Sequence, residues 1–466
     1  MKLPGFIDSH MHVLGLGYVS FNVDLNEIYS IKDLIDLLNE NKNKSIIIGR
    51  GWNQENFKEK RFPTKDDLNK VSIDIPILIR RVCGHVLVAN DKMMELANIN
   101  QYSKQISGGT FDYESGLFTE KAINIINNAL PKPSHNDLRK YLLKANEILL
   151  ENGITSVASD DFSTLSIDYE EIINVINELY DEDLLKIKIT EQVNLPYKKL
   201  KEFIDKGYAN KKFNKYKLGP LKILADGSLG GKTASLLKPY ENEPDNYGVL
   251  TYSDDELFEL VHLADSNNMD VVIHAIGDKT SQQAIDTLIK SLKITKRTNH
   301  NHAIIHAQLT TREQIKLMKK WNIGAIIQPI FLNSDIPIIE SRIGSRAKES
   351  YLFKSFYNQG VNVGFSTDSP IEPVDPFKNI YCAVTRKSIK FPNEKPFLFE
   401  ESFNVSQALV CYTTNNLNYI YEPTLPKGDY IITNQDIYTS KLFEIKDIKV
   451  IKTYIDNKLV YINKEE

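Results

Sequence analysis

Cysteine is scarce: only Cys83, Cys382 and Cys411 occur in 466 residues, an odd number set far apart. That excludes a disulfide scaffold and argues against a cysteine-based zinc site. It is also the usage of a reducing cytosol, so a cytoplasmic location is expected. No apolar run reaches the about 18 residues that span a bilayer, and residues 1–20 hold no charged start followed by a long apolar stretch. Neither a membrane span nor a secretory signal is therefore expected. An excess of one charge is missing too. The net charge is -4 with no extended basic tract, which points away from nucleic acid and anionic membrane as partners. What remains is ordinary for a chain with a full core, 42% apolar and 25% charged. The length admits one large α/β barrel with insertions, or two or three domains.

One pattern recurs: a short β-branched run that ends in a polar residue, followed by a helical stretch. It occurs eight times, at 5–12 (GFIDSHMH), 153–161, 187–193, 221–228 (LKILADGS), 271–278 (VVIHAIGD), 303–308 (AIIHAQ), 324–329 (GAIIQP) and 361–370 (VNVGFSTDSP). Amphipathic segments lie between them, such as 136–153 with Asn136 as N-cap and Gly153 as stop, and 253–268 capped by Ser253. Strands alternating with helices give a parallel sheet, and eight such units predict a closed (β/α)8 TIM barrel. Residues 13–135 are too long for one crossover. They are expected to form an insertion after the first barrel strand, with strand-like runs at 45–53 and 75–88, serving as a substrate lid or cap. The barrel with this insertion is assigned to residues 1–400. Residues 401–466 are assigned to a C-terminal helix and a small, reduced β appendage.

The polar residues that end these runs are chemically alike. His10 and His12 are two apart on the first, so they point to one side of a strand. Alone, that pair fits a metal grip or two half-exposed edge residues equally well. Lys222 ends the fourth run with Asp226 beyond it, His274 the fifth, His306 the sixth and Asp368 the eighth. In a barrel these ends share one mouth, and four of nine histidines gathered there are hard to explain as packing. His135 and His262 fall in helical segments. His300 and His302 in "RTNHNH" read as a solvated loop rather than a second metal cluster.

The stretches PGFIDSHMH, GWNQENF, DIPILIRRVCGHVLVAN, GITSV, LKILADGSLGGKTASLLKPY, VVIHAIGD, IIHAQ and RIGSRAKESYLFKSFYNQGVNVGFSTDSPIEPVDPFKNIYCAVTR, in that order, resemble the amidohydrolase superfamily and within it the YtcJ-like (amidohydrolase 3) family. The resemblance implies a hydrolase of carbon–nitrogen amide-type bonds in a small-molecule substrate (N-acyl or N-formyl amines, cyclic amides) with two divalent metal ions. His10, His12 and Asp368 would hold one ion, and His274 and His306 the other. A carbamate on Lys222 would bridge them, and Asp368 would be catalytic, acting as base toward a metal-shared water and then as acid toward the leaving nitrogen. Histidine-rich ligation favours zinc, with manganese, iron or nickel as alternatives. The bland reading of Lys222 is an ion-pair partner of Asp226, and that of Asp368 an N-cap in STDSP.

Family members carry a longer lead before the first histidine pair and an "EH" pair on the sixth strand. Here that pair is Ile305-His306, so a polar partner for His306 is expected to be missing. His85 in VCGHV is a candidate substrate contact or a packed imidazole. Trp52 and Phe57 line a pocket or a core. Asp226, Asp278 and Gln308 are candidate orienting residues, and Arg386 a structural ion pair. The alternatives are a mononuclear aminohydrolase (deaminase) and, from another class, a catalytically silent binding barrel. Homodimerisation is left open.

Overall fold

The computed structural model describes residues 1–81, 84, 86–106, 109–119, 122–165 and 167–464; Cys83 and His85 lie outside the described residues. The chain separates into two compact units, Met1–Gly17 with His135–Glu466, and Tyr18–Ser134.

The first unit is a TIM barrel. Its eight-stranded parallel sheet runs Phe6–Met11, Ile154–Ser159, Lys188–Val193, Tyr216–Leu224, Val271–Ala275, Ala303–His306, Gly324–Ile327 and Val363–Phe365 in chain order. Seven of the eight recurring runs hold one of these strands, and the fourth, 221–228, overlaps only the last four residues of Tyr216–Leu224. The strands are almost wholly buried and β-branched, as both-face burial in a parallel sheet requires. Closure between the eighth and first strands uses Ser9 Oγ donating to the Phe365 carbonyl at 2.9 Å and the Asp368 amide donating to the His10 carbonyl at 3.0 Å. Behind this seam Phe6 packs edge-on against Phe377 (5.4 Å) and Tyr412 (5.5 Å), and Phe365 against Tyr412 (5.7 Å). Burying a ring like Phe6 contributes roughly 2–3 kcal/mol, spent here on holding together the two strands that carry His10 and Asp368.

The helices begin where their caps dictate. Ser253 accepts from the Glu256 amide while Glu256 reaches back to Ser253, a capping box that starts Asp254–Ser266. Asp375 caps Pro376–Thr385 with bonds from the Phe377 and Lys378 amides. That role belongs to Asp375, not Asp368.

The C-terminal sheet is antiparallel and four-stranded. Tyr430–Thr433, Val450–Ile455 and Lys458–Ile462 are joined by Lys2–Pro4, which pairs with Tyr430–Thr433. The first residues of the chain thus belong to this sheet as well as leading into the barrel, an arrangement no local pattern discloses.

In the second unit, Val23–Asp24, Ile47–Trp52 and Ile77–Arg81 pair in parallel, and Val86–Ala89, Leu117–Thr119 and Phe111–Asp112 continue the sheet antiparallel. The run 75–88, expected as one strand, is broken: Gly84 has φ +79 and donates to the Arg81 carbonyl at 2.9 Å, so the chain turns back there. Trp52 and Phe57 are both fully buried in this unit's core beside Leu25 and Ile79. Trp52 offers no surface to a ligand and acts in packing.

Among the described residues no helix is long and apolar enough to cross a membrane, and Cys382 and Cys411 are free and buried.

Candidate metal centre

The C-terminal strand ends gather the predicted residues at one mouth. His10 Nε2 lies 3.2 Å and His12 Nε2 3.3 Å from the same oxygen, Oδ1 of Asp368. Ligand atoms of His10, His306 and Asp368 all lie within 4.8 Å of one another. The rings form a row, His12 to His10 at 5.3 Å, His10 to His306 at 5.9 Å and His306 to His274 at 4.4 Å. Lys222, 3% exposed, is close enough to act electrostatically on His10, His12 and His306.

What equips these imidazoles for a metal is the state of their other nitrogen. His10 Nδ1 is 2.6 Å from Gln192 Oε1, His12 Nδ1 is 2.8 Å from the Asp160 carbonyl, and His306 Nδ1 is 2.8 Å from Gln328 Oε1. Each partner is an acceptor, so Nδ1 carries a proton, and in the neutral ring Nε2 keeps the lone pair. His274 is the mirror case. Its Nε2 faces the Gly227 carbonyl at 3.2 Å and Asp226 Oδ1 at 3.3 Å, leaving Nδ1 as the free donor. The glutamines are themselves fixed, since Gln192 Nε2 donates to the Ser9 carbonyl and Gln328 Nε2 to Ser366 Oγ. Gln328 is thus the polar partner of His306 that the Ile305-His306 dipeptide lacked, supplied from the next strand.

The electrostatics agree. Burial, with Lys222 adding to it, pulls His10 down to about 4, and burial beside His274 holds His306 well below the usual imidazole range. Both present neutral lone pairs at neutral pH. Burial opposes a proton on His12, yet the Asp368 and Asp160 carboxylates raise it to about 9. Metal entry there releases a proton. Burial pushes the Asp368 carboxyl up, but His10 and His12 hold it well below the usual range. Burial lowers Lys222 against the pull of Asp160 and Asp368, and among the described residues its ammonium has no salt bridge within 4.0 Å. The expected alternative, a pair with Asp226, is not formed. Asp226 instead accepts from Ile276, Gly277 and Ser235 amides and from Thr280 Oγ1.

Two of these candidate residues sit on strained backbone. His306 has φ +74 and Asp368 φ +57, a region that costs a non-glycine residue about 1–3 kcal/mol and persists where surrounding structure imposes it. Asp8 supplies part of that imposition. Its buried carboxylate accepts from Thr367 Oγ1 at 2.6 Å and from the Thr367 and His10 amides at 3.1 Å, clamping both strands beside their ligands.

The other candidates lie elsewhere. Asp278 accepts from the Leu237 and Lys279 amides and ties a loop to its helix. Gln308 donates to Asp335 rather than to His306. Arg386 is buried and donates to the Phe397 and Tyr351 carbonyls, a structural role. The 300–302 loop is not solvated: His302 is fully buried, and it faces Asp265 Oδ1 at 3.3 Å beside Arg297. Gln192, Gln328, Asp160 and Asp8 were not singled out in the sequence. Gln192, Gln328 and Asp160 carry only the signal of a polar side chain at or next to a strand end, and Asp8 that of a carboxyl within a buried strand.

The amidohydrolase family model matches residues 1–461. The chain belongs to the amidohydrolase family. Among relatives of this amidohydrolase, YtcJ of Bacillus subtilis (strain 168) is 28% identical over 99% of this chain and 89% of its own length. The N-substituted formamide deformylase of Arthrobacter pascens is 20% identical over 98% of this chain and 88% of its own. The crystal structure of a metal-dependent hydrolase from Pyrococcus horikoshii OT3 superposes with TM-score 0.81 at 31% identity, covering 95% of this chain and 87% of that one. The protein is accordingly a metal-dependent hydrolase of carbon–nitrogen bonds, and the donor set described above fits a divalent cation in both ligand type and tautomer.

Proposed function

We propose that this amidohydrolase cleaves an amide-type bond of an N-formyl or N-acyl amine or a cyclic amide, using two divalent ions. His10, His12 and Asp368 hold one ion and His274 and His306 the other. The observation that supports this reading is four imidazoles at one mouth whose second nitrogens are each tied to an acceptor, with His10, His12 and His306 gathered around the Asp368 carboxylate. Imidazole-rich ligation favours zinc. Lys222, buried and without an ion pair among the described residues, would in its neutral form add carbon dioxide and lose a proton to give a carbamate able to hold both ions.

Bound ions supply Lewis acidity and lower the pKa of a water. The chain's own part is proton handling. Asp368, fixed between His10 and His12, takes a proton from the attacking water and delivers it to the leaving nitrogen, which departs only once protonated. Gln192 and Gln328 hold the imidazoles in register. The formamide deformylase among the relatives supports this bond class. Metal analysis of the purified protein with a screen of N-formyl and N-acyl amines tests the reading. About two equivalents of metal and turnover are expected, with Lys222→Ala losing both. Full activity with two metals in Lys222→Ala would overturn the bridge, and turnover of aminopurine rings alone would overturn the bond class.

A further inference from the structure

Beside the metal centre lies a polar cluster that this chemistry does not use. Gln308, two residues past His306, is 2% exposed. Its Nε2 donates to Asp335 Oδ2 at 3.4 Å, while its Oε1 is buried with no hydrogen-bond partner among the described residues. A buried acceptor left this way marks a place where a donor is missing. Asp335 stands in the first turn of the helix Leu332–Ile343. That helix directly follows Phe331, whose ring stacks on His306 at 5.7 Å. Asp335 Oδ2 also receives the Tyr351 hydroxyl, and no hydrogen bond among the described residues reaches Oδ1. Asp335 and its neighbour Ser334 both reach the surface.

Glu372 lies four residues past Asp368 and is 9% exposed. Burial raises its carboxyl, the Asp335 and Asp368 carboxylates raise it further, and Ser334 and Lys390 oppose them. Burial likewise raises Asp335, to about 6. Favourable interaction with the helix N-terminus accounts for Asp335 alone. It leaves the bare Gln308 oxygen without a reason. Gln308 Oε1 and Asp335 Oδ1 are two acceptors without a donor among the described residues, with the Glu372 carboxyl near enough to interact with Asp335, and the group that satisfies them is rich in donors and positively charged.

We propose that Gln308, Asp335 and Glu372 form a subsite for a cationic amino group, so that the preferred substrate is an amide carrying a protonated amine a few atoms from the bond that breaks. This rests on the amide-hydrolysis reading and narrows it. A carboxylate in the same place meets like charge and no spare donor, so N-acyl amino acids with a free acid there are rejected.

Two formamides of equal length separate the cases on the metal-loaded enzyme, N-formyl-1,4-diaminobutane (cationic) and N-pentylformamide (neutral). The cationic one is expected to have the higher kcat/KM by about tenfold or more. In Asp335→Asn and in Glu372→Gln that ratio is expected to fall toward one, through KM of the cationic substrate rather than kcat. Gln308→Met is expected to lower it less. Asp335→Asn preserves size and an acceptor for Tyr351, thermal melts report folding, and Glu372→Gln carries the test if it does not fold. Calorimetry with butylammonium chloride reads the subsite without turnover, and its binding is expected to weaken about tenfold in Glu372→Gln. A ratio at or below one in the wild type, or a ratio unmoved by all three substitutions, overturns the subsite. If neither formamide is hydrolysed but butylammonium binds and the variants lose it, amide hydrolysis falls and the subsite stands. If the neutral formamide turns over and butylammonium does not bind, the subsite falls and amide hydrolysis stands.

Discussion

The sixth barrel strand, Ala303–His306, ends in a histidine and is preceded by another, and the two have opposite fates. His306, at the mouth, has Nδ1 held by Gln328 and Nε2 free beside His10 and Asp368. His302, at the other end, accepts from the Val271 amide on Nδ1 at 3.0 Å and turns Nε2 toward Asp265. Arg297 closes that second cluster, binding Asp265 Oδ1 at 2.7 Å and Asp270 Oδ1 at 2.8 Å. Both clusters contain two or more buried imidazoles and a buried carboxylate. What separates a metal centre from an internal ion cluster is therefore not the count of ligand-type residues. It is whether a guanidinium has already taken the carboxylates and a backbone amide the lone pair. At the mouth no guanidinium pairs with Asp368 among the described residues, and burial lowers the nearby Lys222.

Substitutions on the two sides break the comparison most sharply. Asp368→Asn is expected to cut kcat on the best N-formyl amine by about 10³- to 10⁴-fold, since it removes the proton carrier. Asp265→Asn at the other end is expected to leave kcat within about twofold, because it touches no ligand; equal losses would erase the distinction. Next in size, Arg297→Met takes the guanidinium from two buried carboxylates, Asp265 and Asp270. Urea unfolding should show a loss of about 3–5 kcal/mol with unchanged activity per folded molecule. Smaller again, Gln328→Ala frees the His306 ring and should weaken metal binding by about 10–100-fold in a chelator competition, without a matching change in stability.

The smallest effect concerns pH. Burial raises Asp265, but His302, Ser291 and Thr295 outweigh it and hold the carboxyl well below its usual range. A depressed folded pKa gives stability that is present above the unfolded value near ~4 and is lost as pH falls below it. Wild type should therefore lose about 1–2 kcal/mol relative to Asp265→Asn between pH 5 and pH 3, measured by parallel urea melts. Parallel curves would show that the second cluster carries no net electrostatic stabilisation.

Local pattern discloses the barrel because each strand is a short β-branched run with a polar end, and that grammar is written within ten residues. His10, His12, Lys222, His274, His306 and Asp368 are legible for the same reason, each standing at such an end. The partners that fix their tautomers are not. Gln192 and Gln328 also end strands, but a glutamine there has no chemistry of its own, and its meaning depends on which imidazole the neighbouring strand presents. The 300–302 segment misleads in the opposite direction. "RTNHNH" is polar throughout and reads as solvated, yet Arg297 and His302 are drawn inside by Asp265 and Asp270, which lie some thirty residues earlier. Trp52 is ambiguous from sequence because an aromatic in a core and one in a pocket are written alike.

The edge pairing of Lys2–Pro4 with Tyr430–Thr433 has one further outcome. Pro4 ends that pairing, Gly5 donates to the Asp429 carbonyl at 3.0 Å, and Phe6 opens the strand that delivers His10. Gly5 has no room for a side chain, since a Cβ there would meet Thr155 at 2.4 Å. The tail hairpin is thus moored five residues upstream of the first ligand, with a rigid, tightly fitted link between. Damage to the tail, far from the mouth in sequence, should surface as poor cation retention rather than as simple loss of solubility.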